Sequence, residues 1–352
     1  DNLKEALLYY QDQAKKYWLD FNLYAQGMLG LAAHRFTMKE LAGDIVKSIR
    51  EKAIRHDELG MYWKDNVVGY FWYQAPIETH ALMIEMFDEV ANDQETVEEL
   101  KVWLLKNKQT SDWKTTKATA EACYALLLKG TDLLSNDEMV EIRMGNEIVD
   151  PAKMGAKVEA GTGYFKTSWS AEKITPEMGK ITLSKKKDGV AWGAVYWQYF
   201  EQLDKITPHE TPLKLNKKLF LVKKTETGQQ MVPVDEKTSL EPGSRVRVKI
   251  ELRVDRAMEY VHMKDMRASC FEPVNVFSQY KWQDGLGYYQ STRDAATNFF
   301  FEYLPKGTHV FEYDLLVSHL GDFSNGITTI QCMYAPEFTS HSEGIRVQVK
   351  GQ

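Results

Sequence analysis

The sequence predicts a multidomain chain, α then β: a partial α/α toroid of helical hairpins, then a small β module, then an antiparallel β-sandwich. Three observations predict it. A tryptophan-led run occurs twice, once from Trp63 and again, fifty residues on, from Trp113. Before about residue 135, apolar residues recur every three or four positions; after it, they alternate with charged ones at period two.

In each copy of the repeat an aromatic-rich, non-periodic stretch leads into a helix through polar residues. These are Glu78 and Thr79 in the first copy, and Thr115, Thr116, Thr119 and Glu121 in the second. The helices are then expected to bury Ala81, Leu82, Ile84, Met86 and Phe87, or Ala122, Tyr124, Ala125, Leu126 and Leu128. Six helices are expected, over 3–17, 21–34, 37–55, 77–90, 94–106 and 117–129. Their spacing of three and four is plain in Leu41, Ile45 and Ile49, and in Val97, Leu100 and Leu104. Thr37 with Glu40 has the form of a capping box, and Gly130 that of a C-cap. Six antiparallel helices make three hairpins, which cannot bury their apolar faces alone and must close on neighbours.

Past residue 135 the runs Arg245–Val254 and Ile345–Val349 alternate β-branched and charged side chains, so each predicts a strand with one wet face. Glu241-Pro242-Gly243, Pro305-Lys306-Gly307 and Thr227-Gly228 are turn signals suited to a sandwich. Strands are also expected at Ile142–Ile148 and Ala191–Phe200. With a boundary near Pro208 to Pro212, the domains are read as 1–135, 136–207 and 208–352.

At 352 residues the chain exceeds one ordinary core. A 43% apolar and 27% charged composition is that of a soluble globular protein. The net charge of −6 comes without a basic stripe, which argues against nucleic acid as a partner. Lys185, Lys186 and Lys187 read as a solvated turn before Asp188-Gly189. No apolar run is long enough to span a membrane. The chain begins at Asp1, so a removed leader or a C-terminal piece of a longer protein is expected. Cys123, Cys270 and Cys332 have no metal spacing; Cys270 and Cys332 could pair, but isolated cysteines flanked by apolar residues more often pack as small core residues.

Chemistry leaves little signature. There is no phosphate-cradling glycine loop, no G-x-S-x-G elbow and no H-E-x-x-H. The eight histidines are scattered. Glu121-x-Cys123 could belong to a zinc site only with a further ligand from a later hairpin, and the helices end first. No cofactor, metal or catalytic residue is therefore assigned. Tyr70, Tyr73, His80 and Asn66 could be drafted as a lyase site for uronate polymers, but arginine is nearly missing from 56–135. In the β region Trp282, Tyr288 and Tyr289, beside Gly285 and Gly287, form either part of a sandwich core or a binding platform.

This order of parts resembles the C-terminal part of bacterial alpha-2-macroglobulin-like proteins, in particular those of the Bacteroides group. The resemblance spans nearly the whole chain and rests on GYFWYQAPIETHALMIEMF at 69–87, WLLKNKQTSDWKTTKATAEACYALL at 103–127 and the segment 281–344. It implies a non-catalytic protease trap of the periplasm or cell envelope, whose partners are target proteases and the upstream domains of the same polypeptide. It further implies that 1–135 is the later half of a terpenoid cyclase-like toroid, 136–207 the returning half of a CUB-like module and 208–352 a macroglobulin-like sandwich. Many members carry a Cys-x-x-Gln thioester on an earlier hairpin. Here the cysteines head CYAL, CFEP and CMYA, so none can form one. Half a ring would leave apolar surface in water, so residues before Asp1, another closure or dimerisation is expected to cover it. A polysaccharide lyase or a structural, adhesive envelope protein are the alternative readings.

Overall fold

The computed structural model describes residues 2–129, 139–160, 163–186, 191, 193–226, 228–235, 238–283 and 285–351. The expected cap at Gly130, the boundary near residue 135 and the turns at Thr227 and Lys187-Asp188-Gly189 lie outside these residues. Two compact units divide the chain: Asp1–Lys106 with Trp113–Gly193, and Asn107–Asp112 with Ala194–Gln352.

The first unit opens with helices α1 (Asn2–Tyr17), α2 (Leu23–Arg35) and α3 (Lys39–Glu51). A short hairpin, β1 (Ile54–His56) and β2 (Gly60–Tyr62), separates these from α4 (Pro76–Met86), α5 (Gln94–Thr110) and α6 (Thr116–Leu128). Helix α2 packs on α3 and α4, and α4 on α6. Ile45, Ile49, Met83, Ile84, Phe87, Leu100, Leu104 and Ala122 share one core, as their spacing predicts. The close approach of α2 to α4 depends on Gly27, where an added Cβ would lie 2.2 Å from the Met83 terminal methyl.

Two local expectations fail here for physical reasons. Helix α3 stops at Glu51, four residues short, because Ile54–His56 turns back to pair with Gly60–Tyr62. The Thr37–Glu40 capping box does not form. Thr37 closes α2 instead: its N–H bonds to the His34 carbonyl and that of Met38 to Ala33, with Thr37 at φ +62°. That is a Schellman closure with threonine at the position glycine usually takes. At α6 the polar approach works as expected, the Thr115 hydroxyl accepting from the Ala118 N–H at 3.0 Å.

The small β part of this unit pairs β3 (Glu141–Met144) with β4 (Glu147–Ile148) and β5 (Ile181–Ser184). The strand expected over Ile142–Ile148 is thus a tight hairpin, turned at Gly145 with φ +60°. The strand expected over Ala191–Phe200 is absent among the described residues. Residues 193–200 are irregular, and Trp197, Tyr199 and Phe200 are exposed.

The second unit is the β-sandwich. Its strands are β6 (Leu213–Thr225), β7 (Gly228–Pro233), β8 (Ser239–Leu240), β9 (Arg245–Val254), β10 (Met258–Met266) and β11 (Phe271–Pro273). There follow β12 (Gln279–Gln283), β13 (Leu286–Thr292), β14 (Ala296–Leu304), β15 (Gly307–Val317), β16 (Gly321–Ser324), β17 (Thr328–Cys332), β18 (Thr339–His341) and β19 (Arg346–Val349). One sheet runs β12-β13-β14-β10-β17-β18 and the other β11-β15-β9-β6-β7. A third, β16-β19-β8, contains a parallel pair, β19 with β8. In β9 every second residue is buried, from Val246 to Val254, as period two requires. Cys270 and Cys332 are separate buried thiols and do not pair.

Candidate functional site

On the outer face of the six-stranded sheet, register brings four rings into one row. Tyr280 on β12 lies opposite Tyr289 on β13, Tyr289 opposite Phe300 on β14, and Phe300 opposite His262 on β10. Ring centroids are 5.1, 6.4 and 4.7 Å apart along the row. Asn298 fixes the imidazole of His262 at 3.1 Å. Two positions from Tyr280, and so on the same face, Trp282 lies opposite Gly287, where an added Cβ would meet the indole at 3.1 Å. Glycine there lets the indole lie flat across the neighbouring strand. Trp282 is 80% exposed and Tyr280 77%.

The platform expected from Trp282, Tyr288 and Tyr289 is therefore corrected at one residue. Tyr288 is 4% exposed and points inward, its ring 5.4 Å from Phe311 and 5.7 Å from Phe301. Adjacent residues of a strand face opposite sides, so Tyr288 and Tyr289 cannot share a surface. Tyr280, Phe300 and His262 belong to the row, and sequence reasoning misses them as members. The alternation within Tyr280-Lys281-Trp282 and Phe299-Phe300-Phe301 is the signal that could have found the two aromatic ones. Lys281, between Tyr280 and Trp282 in sequence, is on the opposite face of the strand and half-buried, and burial lowers its ammonium pKa. The row offers flat π faces for contact; it holds no paired acid and base, and among the described residues no cluster of metal-ligating side chains occurs.

The helical candidates are not gathered into a site. His80 is fully buried, its Nε2 2.9 Å from the Leu100 carbonyl and its ring stacked 4.2 Å from that of Trp103. Burial drives its pKa down to about 3, so it is neutral and closed to a polymer substrate. Asn66 donates to the Pro76 carbonyl at 3.0 Å, Tyr70 is 97% exposed, and Tyr73 stacks on Phe71. Trp63, which leads the first repeat, is a core residue whose indole N–H bonds to the Ile49 carbonyl at 2.9 Å. Cys123 is exposed on α6, in an open depression shared with Trp113, Thr115 and Thr119.

Residues 213–337 match the family described as the Bacterial Alpha-2-macroglobulin MG10 domain. The match covers most of the sandwich and none of the helical part. No curated protein matches the chain. Among solved structures, trypsin-activated alpha-2-macroglobulin from Escherichia coli is similar at 11% identity, over 96% of this chain and 22% of that one, with a TM-score of 0.39. Salmonella alpha-2-macroglobulin reacted with methylamine is similar at 11% identity, over 96% and 20% of the two chains, with a TM-score of 0.34. A cohesin module of a Clostridium perfringens glycoside hydrolase is similar at 9% identity, over 38% of this chain and 98% of its own, with a TM-score of 0.23. This chain thus spans about a fifth of the Salmonella and trypsin-activated Escherichia coli macroglobulins. Scores this low describe a faint likeness, and the MG10 match alone bears on identity.

Proposed function

We propose that this chain, alpha-2-macroglobulin-like in its C-terminal part through the MG10 domain at residues 213–337, is a non-catalytic part of a protease-trapping inhibitor of the bacterial envelope. The single observation that carries the reading is the MG10 match, which lies over most of the sandwich's two main sheets. Its partners would be attacking proteases and further domains of the same polypeptide. On this reading the helices are part of a toroid, which accords with the exposed Tyr70, Trp72, Leu3 and Leu8 on the first unit. The segment 136–207 would be one half of a split β module. In support, Val195, Trp197, Tyr199 and Phe200 have a strand-like composition but are exposed outside any strand.

No cysteine in this chain stands in a Cys-x-x-Gln motif, so these residues supply no thioester for covalent capture. A trap closes only after it is cut. The test uses the full-length precursor with an active protease and with the same protease blocked at its active site. A complex that survives gel filtration only with the active protease supports the proposal; equal complexes, or none, overturn it.

A second reading is favoured by the exposed row of Trp282, Tyr280, Tyr289 and Phe300: a surface of the sandwich that holds a partner by ring contacts. It is compatible with the first, since a trap's domains must dock on one another.

A further inference from the structure

The most chemically unusual point in the described structure lies between the two sheets of the sandwich. Lys217 on β6, in the five-stranded sheet, places Nζ 2.5 Å from Oδ1 of Asp265 on β10, in the six-stranded sheet, and both side chains are 0% exposed. Lysine and aspartate are rarely buried to this degree, because removing both charges from water costs several kcal/mol per ion and attraction only partly offsets it. Both members of the pair have further hydrogen-bond partners. Nζ donates to the Met266 carbonyl at 2.9 Å, the Thr328 hydroxyl to Oδ1 at 2.6 Å, and the Tyr313 hydroxyl to Oδ2. Burial and the charge of Asp265 raise the Tyr313 pKa well above its ordinary value, so the phenol stays protonated. Asp265 also lies opposite Thr297 on β14 and Thr328 on β17 in register, so three strands fix it.

The geometry points to a modification site: Lys217 and Asp265 condense to an intramolecular amide that links the two sheets. The step is a dehydration and needs no other reactant. Nζ hands one proton to the carboxyl group, and its lone pair then adds to Cγ. A second Nζ proton passes to the departing oxygen, with the Tyr313 and Thr328 hydroxyls within reach as relays. The Cγ–O bond breaks, one water leaves, and the third Nζ proton remains as the amide N–H. Both polar groups of the new amide keep a partner already in place. The N–H faces the Met266 carbonyl, and the remaining oxygen accepts from a hydroxyl. The reaction exchanges a buried ion pair for a neutral amide, and fixed proximity supplies the entropic part of the barrier. Burial also keeps water from reversing it.

The test is the intact mass of the purified 352-residue chain, denatured after prolonged incubation in the folded state, followed by peptide mapping. The expected result is a mass one water below that of the sequence, with a branched peptide joining the Lys217 and Asp265 segments and no tryptic cut after Lys217. Lys217→Gln should restore the sequence mass. An unmodified mass would overturn the proposal. So would a water loss mapped elsewhere, as from a cyclised aspartate, or one that persists in Lys217→Gln. The wild-type mass decides the matter even if the variant does not fold.

Discussion

Thr37 shows how a residue can mislead. Its hydroxyl and the glutamate three positions on look like the start of α3, yet the left-handed backbone at φ +62° makes it the end of α2. A β-branched side chain in that region is strained by about 1 kcal/mol or more. Thr37→Gly should therefore stabilise the first unit by up to about 1 kcal/mol in urea denaturation, because glycine's greater freedom when unfolded offsets part of the strain relieved; a loss of stability would mean the hydroxyl is needed. His80 carries the pH dependence of the same core. Its pKa is about 3 in the folded chain and near 6.5 when unfolded, so between those values the unfolded chain binds the extra proton. Stability should fall as pH drops from about 6.5 toward 3, by up to about 1.4 kcal/mol per unit from this group. His80→Phe, which keeps a ring against Trp103, should flatten that slope in thermal melts. An unchanged slope would place the acid sensitivity elsewhere.

At the scale of elements, what was legible followed the periodicity. Helices α2 to α6 and strands β9 and β19 announce themselves through spacing, since burial of one face is all that decides them. What was not legible depends on distant partners. Whether Ala191–Phe200 becomes a strand is set by a neighbour to pair with, and Ile54–His56 leaves the helix because Gly60–Tyr62 returns to it. The aromatic site was half legible: the clustering of rings was visible, but sorting them by face needed the register. That sorting makes a direct prediction. Trp282→Ala should alter stability by no more than about 0.5 kcal/mol, whereas Tyr288→Ala should cost about 3 kcal/mol or more. Similar costs at both positions would contradict the assignment of faces. Gly27→Leu should cost about 1–3 kcal/mol by forcing α2 from α4 at Met83. Circular dichroism melts would detect it, and a neutral result would show that Met83 moves aside freely.

At the scale of the whole molecule, each unit closes on a core of its own and also leaves large apolar side chains outside it. The sandwich closes on its own continuous core, from Leu213 to Val349. The first unit leaves Leu3, Leu8, Val68, Tyr70 and Trp72 exposed, and the second leaves Tyr280, Trp282 and Phe277. Such surface suits a part that works within a larger assembly, as the proposed trap requires. The most direct measurement incubates the full-length precursor with a protease and follows that protease on one large protein substrate and one small peptide substrate. A trap predicts that cleavage of the protein substrate is lost while cleavage of the peptide is kept. Equal retention, or equal loss, of both activities would contradict it.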